Sequence, residues 1–274
     1  MAEPTSETSL LQKVGTQGVH TFNVATGLLT TLLSAIQSNF TPGKGAREVV
    51  RAITVRQIFY TSVQALPMIS VVALFVGSTL TAQMEILGGA IQRETAGRIL
   101  VAVILRELAP LLTAIIIVGR SGTAIATELG VMRVQKEILA LASMGIDPSR
   151  LLVWPRLVAT MVGVPLLTLY FSAMAIIGGY LTAFFIDQHG LAELYQGARL
   201  ALSPADLPLI FIKTLGLGAL VGWLCSYYGL DVGASPTEIP QKASRAVVQT
   251  LLACIVYNAL VTILFYTLFS AGFR

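Results

Sequence analysis

The chain has 274 residues, of which 55% are hydrophobic and 12% are charged, and its formal net charge is +4. Because soluble domains carry about 25% charged residues and disordered chains carry more, this composition excludes an ordinary soluble enzyme and an intrinsically disordered chain. The leading class is therefore a membrane protein with several spans.

Residues 1–45 are predicted to form an N-terminal tail with one amphipathic helix. Apolar side chains recur at helical spacing over residues 22–36, and Asn, Thr and Ser fill the opposite face. This pattern indicates a helix lying on the membrane surface, or alternatively a helix packed against the spans. The first 20 residues carry Glu3 and Glu7 and lack a continuous apolar core, so no cleavable signal peptide is expected.

Residues 46–274 are predicted to form an all-α membrane domain. Five apolar runs are each long enough for a spanning helix, which needs about 20 residues, and they cover residues 63–86, 98–120, 156–186, 207–229 and 247–271. Strands of a membrane barrel would be about half as long and would alternate. The third run reaches roughly 45 Å as a helix, so it must tilt, kink near Pro165 or Gly178-Gly179, or project beyond the membrane.

The basic residues predict the orientation of these spans. Of 18 Lys and Arg residues, the N-terminal segment and the 120–156 connection hold five each, and the 231–245 loop holds two. The positive-inside rule then puts the N-terminus in the cytoplasm and the C-terminus outside. No dense basic stripe occurs, so we expect no nucleic-acid partner.

Neither a Gly-x-Ser-x-Gly nor a His-Glu-x-x-His motif occurs in the sequence. Cys225 and Cys254 fall inside predicted spans and are expected to be small core residues, and His20 and His189 are too few for a metal site. The 42–45 stretch (PGKG) resembles a phosphate loop, but Ser38 and Gly45 stand where that loop needs Gly and Ser or Thr. We therefore expect neither a cofactor nor nucleotide hydrolysis in this chain.

Arg106 and Glu107 lie inside the second predicted span. Each charge costs about 2.5–3.5 kcal/mol at the centre of a membrane, so an intramembrane charge favours a functional role. Pro110 follows one turn later and leaves a backbone carbonyl without its helical donor. Two interpretations stay open: a polar spot that faces a cavity and contacts a head group, or a buried ion pair that locks neighbouring spans.

The connection between the second and third spans, about residues 123–150, predicts an amphipathic helix. Wound as a helix over residues 131–142, it carries an apolar stripe of Val131, Val134, Ile138, Leu141 and Ala142. Arg133, Lys136 and Glu137 lie opposite, and Gly145 suits a left-handed helix end before Asp147-Pro148. Such a helix docks into a partner or lies on the membrane; the alternative is an inert connector.

Small residues at a spacing of four predict close helix packing. Gly218 and Gly222 lie in the fourth span, and Ala175 and Gly179 lie in the third. Without large side chains the two helix backbones can approach each other.

Motifs across the second span and the connection resemble the MlaE/YrbE permease family, the membrane subunits of ABC transporters that work with MCE proteins. The resemblance is carried by LRELAPLLTA at residues 105–114, GRSGTAIATELGVMRV at 119–134, LASMGIDP at 141–148 and Pro155-Arg156. It extends from about residue 45 to the end of the chain, and the order of the motifs makes it specific.

The resemblance implies a homodimer in the inner membrane with an outward-facing lipid pocket. It also implies a coupling helix in the connection that docks on a separate ATPase subunit, which uses the ATP. An MCE-domain protein is expected on the outer side and a STAS-domain protein in some systems. By analogy the substrate-binding residues are Arg56, Arg106, Glu107 and Arg245, and the ATPase-coupling residues are Glu128, Arg133, Val134, Lys136 and Glu137.

The chain departs from the family pattern in two places. Lys136-Glu137 stands where Glu-Gln is common, and Pro236 and Pro240 occur in a loop that is often Gly-rich. An ion-coupled secondary transporter remains the alternative, although it would need repeated halves and five spans do not divide evenly. An intramembrane enzyme would need a second polar catalytic group deep in another span, and the sequence indicates none.

Overall fold

The computed structural model describes residues 44–87, 99, 101–186 and 206–271, and within them the fold is all-α, as predicted. The helices are α1 (Lys44–Ser62), α2 (Leu66–Leu87), α3 (Ala109–Ile117), α4 (Thr123–Val134), α5 (Glu137–Ser143), α6 (Trp154–Ile186), α7 (Asp206–Leu230) and α8 (Glu238–Ala271). The predicted surface helix over residues 22–36 lies outside the described residues.

Within the described residues, five helical runs are long and apolar enough to cross a membrane, which confirms the predicted number of spans. They are Glu48–Met84, Val101–Val134, Ser149–Phe185, Pro208–Leu230 and Glu238–Thr267. The first begins earlier than predicted because a 3-10 turn at Val63–Ala65 joins α1 directly to α2. Its 37 residues reach roughly 55 Å, so the run extends past a hydrocarbon core of about 30 Å.

Among the described residues, two π turns interrupt the second span and a third precedes α6, and the sequence did not predict them. They lie at Ile104–Leu108, Val118–Gly122 and Ser149–Val153. The first two join α3 to the helical segments on either side of it, so the second span is one continuous run from Val101 to Val134. Because π turns inside α-helices often occur at functional sites, these positions direct attention to the side chains they carry.

Helix α6 lies at the centre of the bundle and packs most extensively against α2 and α7. A Cβ built on Gly218 would lie 2.9 Å from the Met161 Cα, and one on Gly222 would lie 2.8 Å from the Leu157 Cα. The predicted close approach at this spacing is therefore confirmed. Helix α6 continues through Pro165 as a single 33-residue helix, about 50 Å long.

Some polar side chains within the spans join neighbouring helices, while the outer faces of the bundle are apolar. The hydroxyls of Ser70 and Tyr170 lie 2.6 Å apart and join α2 to α6. Large apolar side chains face outward on α2 and α8, for example Phe75 and Leu260, which are 70% and 61% exposed. This distribution suits a lipid environment. Cys225 and Cys254 are buried free thiols, as predicted.

Candidate functional site

Glu107, on the first π turn, is the centre of a polar network that joins three spans. Its Oε2 forms an ion pair with the Lys213 Nζ on α7 at 3.0 Å and accepts a hydrogen bond from the Asn258 Nδ2 on α8 at 3.1 Å. The Thr262 Oγ1, also on α8, donates to Oε1 at 3.0 Å. The Lys213 side chain is 1% exposed and that of Glu107 is 37% exposed.

The carbonyl freed by Pro110 takes part in the same network. Proline has no N–H to donate, and the Arg106 carbonyl accepts instead from the Lys213 Nζ at 2.8 Å. That ammonium also donates to the Thr262 Oγ1 at 2.8 Å. An ammonium has three N–H groups, and here each has an acceptor, which is what a buried charge requires.

The ion pair of Glu107 with Lys213 joins the second and fourth spans, while contact of Arg106 with a head group stays a prediction. Polar groups of other spans do reach Glu107, because Lys213 supplies a charge and Asn258 and Thr262 supply hydrogen bonds. The expectation that no second polar catalytic group lies there stays a prediction. A signal was present, since Lys213 is the single charge in residues 207–230. The sequence alone did not indicate that it pairs with Glu107.

The four residues assigned to substrate binding by analogy lie at two levels of the bundle. Arg56 on α1 is exposed and stacks over the Tyr60 ring, 5.6 Å from its centroid. Arg245 is exposed on α8, 13 residues before Asn258, which is roughly 20 Å along the helix. Within one chain, Arg106 and Glu107 are therefore distant from Arg245, and a shared role in binding stays a prediction.

The predicted amphipathic helix over residues 131–142 is wrong in one respect, because the helix breaks at Gln135-Lys136. Lys136 adopts a left-handed conformation with φ 61°, and α5 begins at Glu137. The break lets Ile138 become buried and Leu141 pack against the core. Two residues of the apolar stripe are thus used inside the chain, whereas Val131 and Val134 are half-buried and Ala142 is exposed.

The C-terminal end of α5 confirms the predicted role of Gly145. Its φ is +75°, the Ile146 N–H donates to the Leu141 carbonyl, and the Gly145 N–H donates to the Ala142 carbonyl, both at 3.0 Å. This pair of bonds defines a Schellman motif.

The residues assigned to ATPase coupling are mostly on the surface of this connection. Arg133, Lys136 and Glu137 are exposed, and Val134 is half-buried. Glu128 is also largely exposed, yet its Oε1 forms an ion pair with the buried Arg156 at 3.0 Å. Large exposed apolar side chains lie outside the predicted stripe, at Leu139, Met144 and Ile146.

These features define an all-helical, multi-pass membrane protein with a charged network inside its spans and an elaborated connection at one end. The sequence model of the permease MlaE matches residues 54–264, and the chain belongs to this family.

Curated relatives extend the comparison. The intermembrane phospholipid transport system permease protein MlaE of Haemophilus influenzae is 29% identical over 80% of this chain and 84% of its own. A probable ABC transporter permease protein of Rickettsia prowazekii is 28% identical over 78% of this chain and 83% of its own. The chloroplastic protein TRIGALACTOSYLDIACYLGLYCEROL 1 of Arabidopsis thaliana is 26% identical over 78% of this chain and 61% of its own.

Proposed function

We propose that this chain is the permease subunit of an ABC transporter that moves phospholipid, or a similar lipid, between the inner membrane and an MCE-protein conduit. The observation that carries the proposal is the family match from residue 54 to 264, which includes residues of all five spans. The Haemophilus relative, named as a phospholipid transport permease, supports the choice of substrate.

The proposed assembly is a homodimer with a separate ATPase on the cytoplasmic side. The N-terminus lies in the cytoplasm and the C-terminus in the periplasm, where the MCE-domain protein binds. A STAS-domain protein is a further candidate partner of the ATPase. Support for the orientation comes from the excess of Lys and Arg in the N-terminal segment and the connection.

The connection of α4 and α5 transmits the movement of the ATPase to the spans. Leu139 and Met144 are each 66% exposed, and an exposed cluster of large apolar side chains favours a docking surface. The Schellman motif at Gly145 holds the end of α5 in a fixed geometry. A rigid element of this kind can pass a displacement from a partner to α4 and α6.

Near Glu107, Arg106 is the side chain best suited to a lipid phosphate. It is half-buried on the π turn beside the ion pair, and a guanidinium can bind a phosphate with two parallel hydrogen bonds. The Glu107–Lys213 pair keeps this turn in place. Transport thus needs Arg106 to contact the lipid phosphate, and it needs the Glu107–Lys213 pair to hold Arg106 in position.

Co-purification tests the proposal as a whole. A tagged chain, extracted in mild detergent, is expected to bring down an ATPase subunit and an MCE-domain protein, and the mass spectrum of the complex is expected to contain phospholipid. A monomer that binds neither protein would refute the proposal and favour the ion-coupled alternative.

The docking surface is tested by Leu139→Asp, with Ala140→Asp as its control. Both residues are exposed on α5, about 100° apart around the helix. Leu139→Asp is expected to reduce ATPase recovery at least tenfold while Ala140→Asp retains it. Equal recovery from both variants places the docking surface elsewhere.

The contact role of Arg106 is tested by Arg106→Gln, which leaves the Glu107 ion pair intact. Lipid transport in reconstituted vesicles is expected to fall about tenfold while the complex still assembles, because one charge-assisted contact is lost. Unchanged transport with normal assembly assigns Arg106 to structure alone.

A further inference from the structure

A cavity of about 630 Å³ lies between α1, the second π turn, α4 and the start of α6. Three arginines line it, Arg56, Arg120 and Arg156, together with the carboxylate of Glu128. The wall therefore carries an excess of positive charge. The volume falls in the range of sites that hold small organic ligands, about 300–1,000 Å³.

The three arginines lie where uncharged stretches of the spans end. Arg56 directly precedes the uncharged residues 57–84, Arg120 directly follows 108–119, and Arg156 directly precedes 157–186. The cavity brings the three together at the end of the bundle that carries the α4–α5 connection, called here the connection end. In a membrane this level is the interface, where lipid phosphates lie.

Two of the arginines are held in place by bonds to the bundle. Arg120 donates through Nη1 to the Tyr60 carbonyl at 3.1 Å and through Nη2 to the Gln64 Oε1 at 2.9 Å. Arg156, 4% exposed, donates through Nη1 to the Leu152 carbonyl at 2.7 Å and pairs through Nη2 with the Glu128 Oε1 at 3.0 Å. Since a guanidinium has five N–H donors, both arginines retain donors for a ligand.

Buried polar atoms without a partner occur around the same cavity. Among the described residues that line it, the Arg156 Nε, the Ser121 Oγ and the Thr61 Oγ1 are buried and lack a hydrogen-bond partner. Ser121 is 6% exposed and Thr61 is 1% exposed. An unsatisfied buried donor costs about 1–3 kcal/mol, and a ligand oxygen that reached these atoms would offset that cost.

We propose that this cavity binds the phosphate group of a lipid from the leaflet at the connection end, at a site separate from the Glu107 network. Arg120 is 13 residues beyond Glu107, roughly 20 Å along the second span. The lipid assignment rests on the proposed function, whereas the phosphate chemistry rests on the cavity alone. Arg56 and Arg120 supply the excess positive charge, since Glu128 offsets Arg156, and Ser121 supplies a neutral donor.

Binding to the purified full-length chain tests the site, with two probes that separate the sources of phosphate. One probe is dioctanoyl phosphatidylglycerol in mild detergent, and the other is inorganic phosphate. The wild type is expected to bind the lipid saturably, with inorganic phosphate at least tenfold weaker. Equal binding of both probes through the arginines assigns the site to free phosphate and overturns the lipid source.

The variants are Arg120→Gln and Ser121→Ala, with Arg51→Gln as the control. Arg51 is exposed on α1 at the same end and does not line the cavity. Arg120→Gln is expected to weaken lipid binding at least tenfold and Ser121→Ala a few-fold, since the loss of a charge-assisted bond costs more than that of a neutral one. Ser121→Ala removes none of the described hydrogen bonds, so it covers the case in which Arg120→Gln fails to fold.

Two results overturn the site: wild type that binds neither probe saturably, or Arg120→Gln and Ser121→Ala that both bind like Arg51→Gln. In the second case the arginines act only as interfacial anchors. If the chain still co-purifies with ATPase and phospholipid, the transport proposal stands without this site. If lipid binding depends on Arg120 but no ATPase co-purifies, the site stands without the transport proposal.

Discussion

Glu107→Gln tests how much the ion pair inside the spans contributes to stability. The substitution keeps the size of the side chain and removes its charge, so the Lys213 ammonium stays buried without a counter-ion. Its remaining acceptors are neutral: the Arg106 carbonyl, the Thr262 hydroxyl and the amide oxygen of the new glutamine. Lys213→Met removes the opposite charge and leaves Glu107 with its bonds to Asn258 and Thr262.

The two variants are expected to differ in cost because the two side chains differ in burial. Removing one partner of a buried pair costs about 3–5 kcal/mol. Glu107→Gln leaves an ammonium that is 1% exposed, so its cost falls within this range. The lower end applies, about 3 kcal/mol, because the glutamate is 37% exposed and the pair is therefore partly solvated. Lys213→Met is expected to cost about 1–2 kcal/mol, because the carboxylate it leaves behind is partly solvated and hydrogen-bonded.

Thermal unfolding of the purified chain in detergent measures these costs. A loss of 3 kcal/mol corresponds to a Tm lower by roughly 6–12 °C for a chain of this size. The double variant is expected to lose less than the sum of the two single losses, since no charge is left unpaired. Glu137→Gln, exposed on α5, serves as control and is expected to change stability by less than about 0.5 kcal/mol. Strict additivity of the two single effects would refute the coupling.

Three further substitutions test the packing and the connection. Gly218→Val is expected to block the approach of α7 to α6, so the variant does not elute as a single peak in size-exclusion chromatography. Its control is Gly119→Ala, which is expected to elute like wild type because nothing lies within 4 Å of the new Cβ. Gly145→Val is expected to destabilise the end of α5 by about 1–2 kcal/mol, because its φ is +75°, and so to speed amide hydrogen exchange over α5. Ser70→Ala is expected to lower stability by about 1 kcal/mol, because the hydrogen bond to Tyr170 is lost. The double variant Ser70→Ala with Tyr170→Phe is expected to cost less than the sum of the two single variants, with Tm as the measurement.

The sequence predicted those features that depend on local composition. Hydropathy gave five spans because each run is apolar over a full crossing, and Pro110 predicted a free carbonyl because proline has no N–H. Gly145 predicted a left-handed helix end for a similarly local reason. The partner of that carbonyl could not be predicted, since Lys213 lies more than 100 residues further along the chain. Pairing between spans depends on how helices pack, and a single sequence does not specify this.

Because of its π turns, the faces of the second span cannot be read from a single helical wheel. A π turn adds one residue to a helical turn, so every side chain beyond it is rotated by about 100° relative to a regular α-helix. Two such turns lie between Ile104 and Gly122. A wheel drawn through both is therefore wrong by about 200° at α4, enough to exchange its inner and outer faces. The faces of the second span that carry Glu107 and the arginine cavity thus cannot be deduced from residue spacing. Contacts fix them directly: Glu107 meets α7 and α8, whereas the cavity lies against α1 and α6.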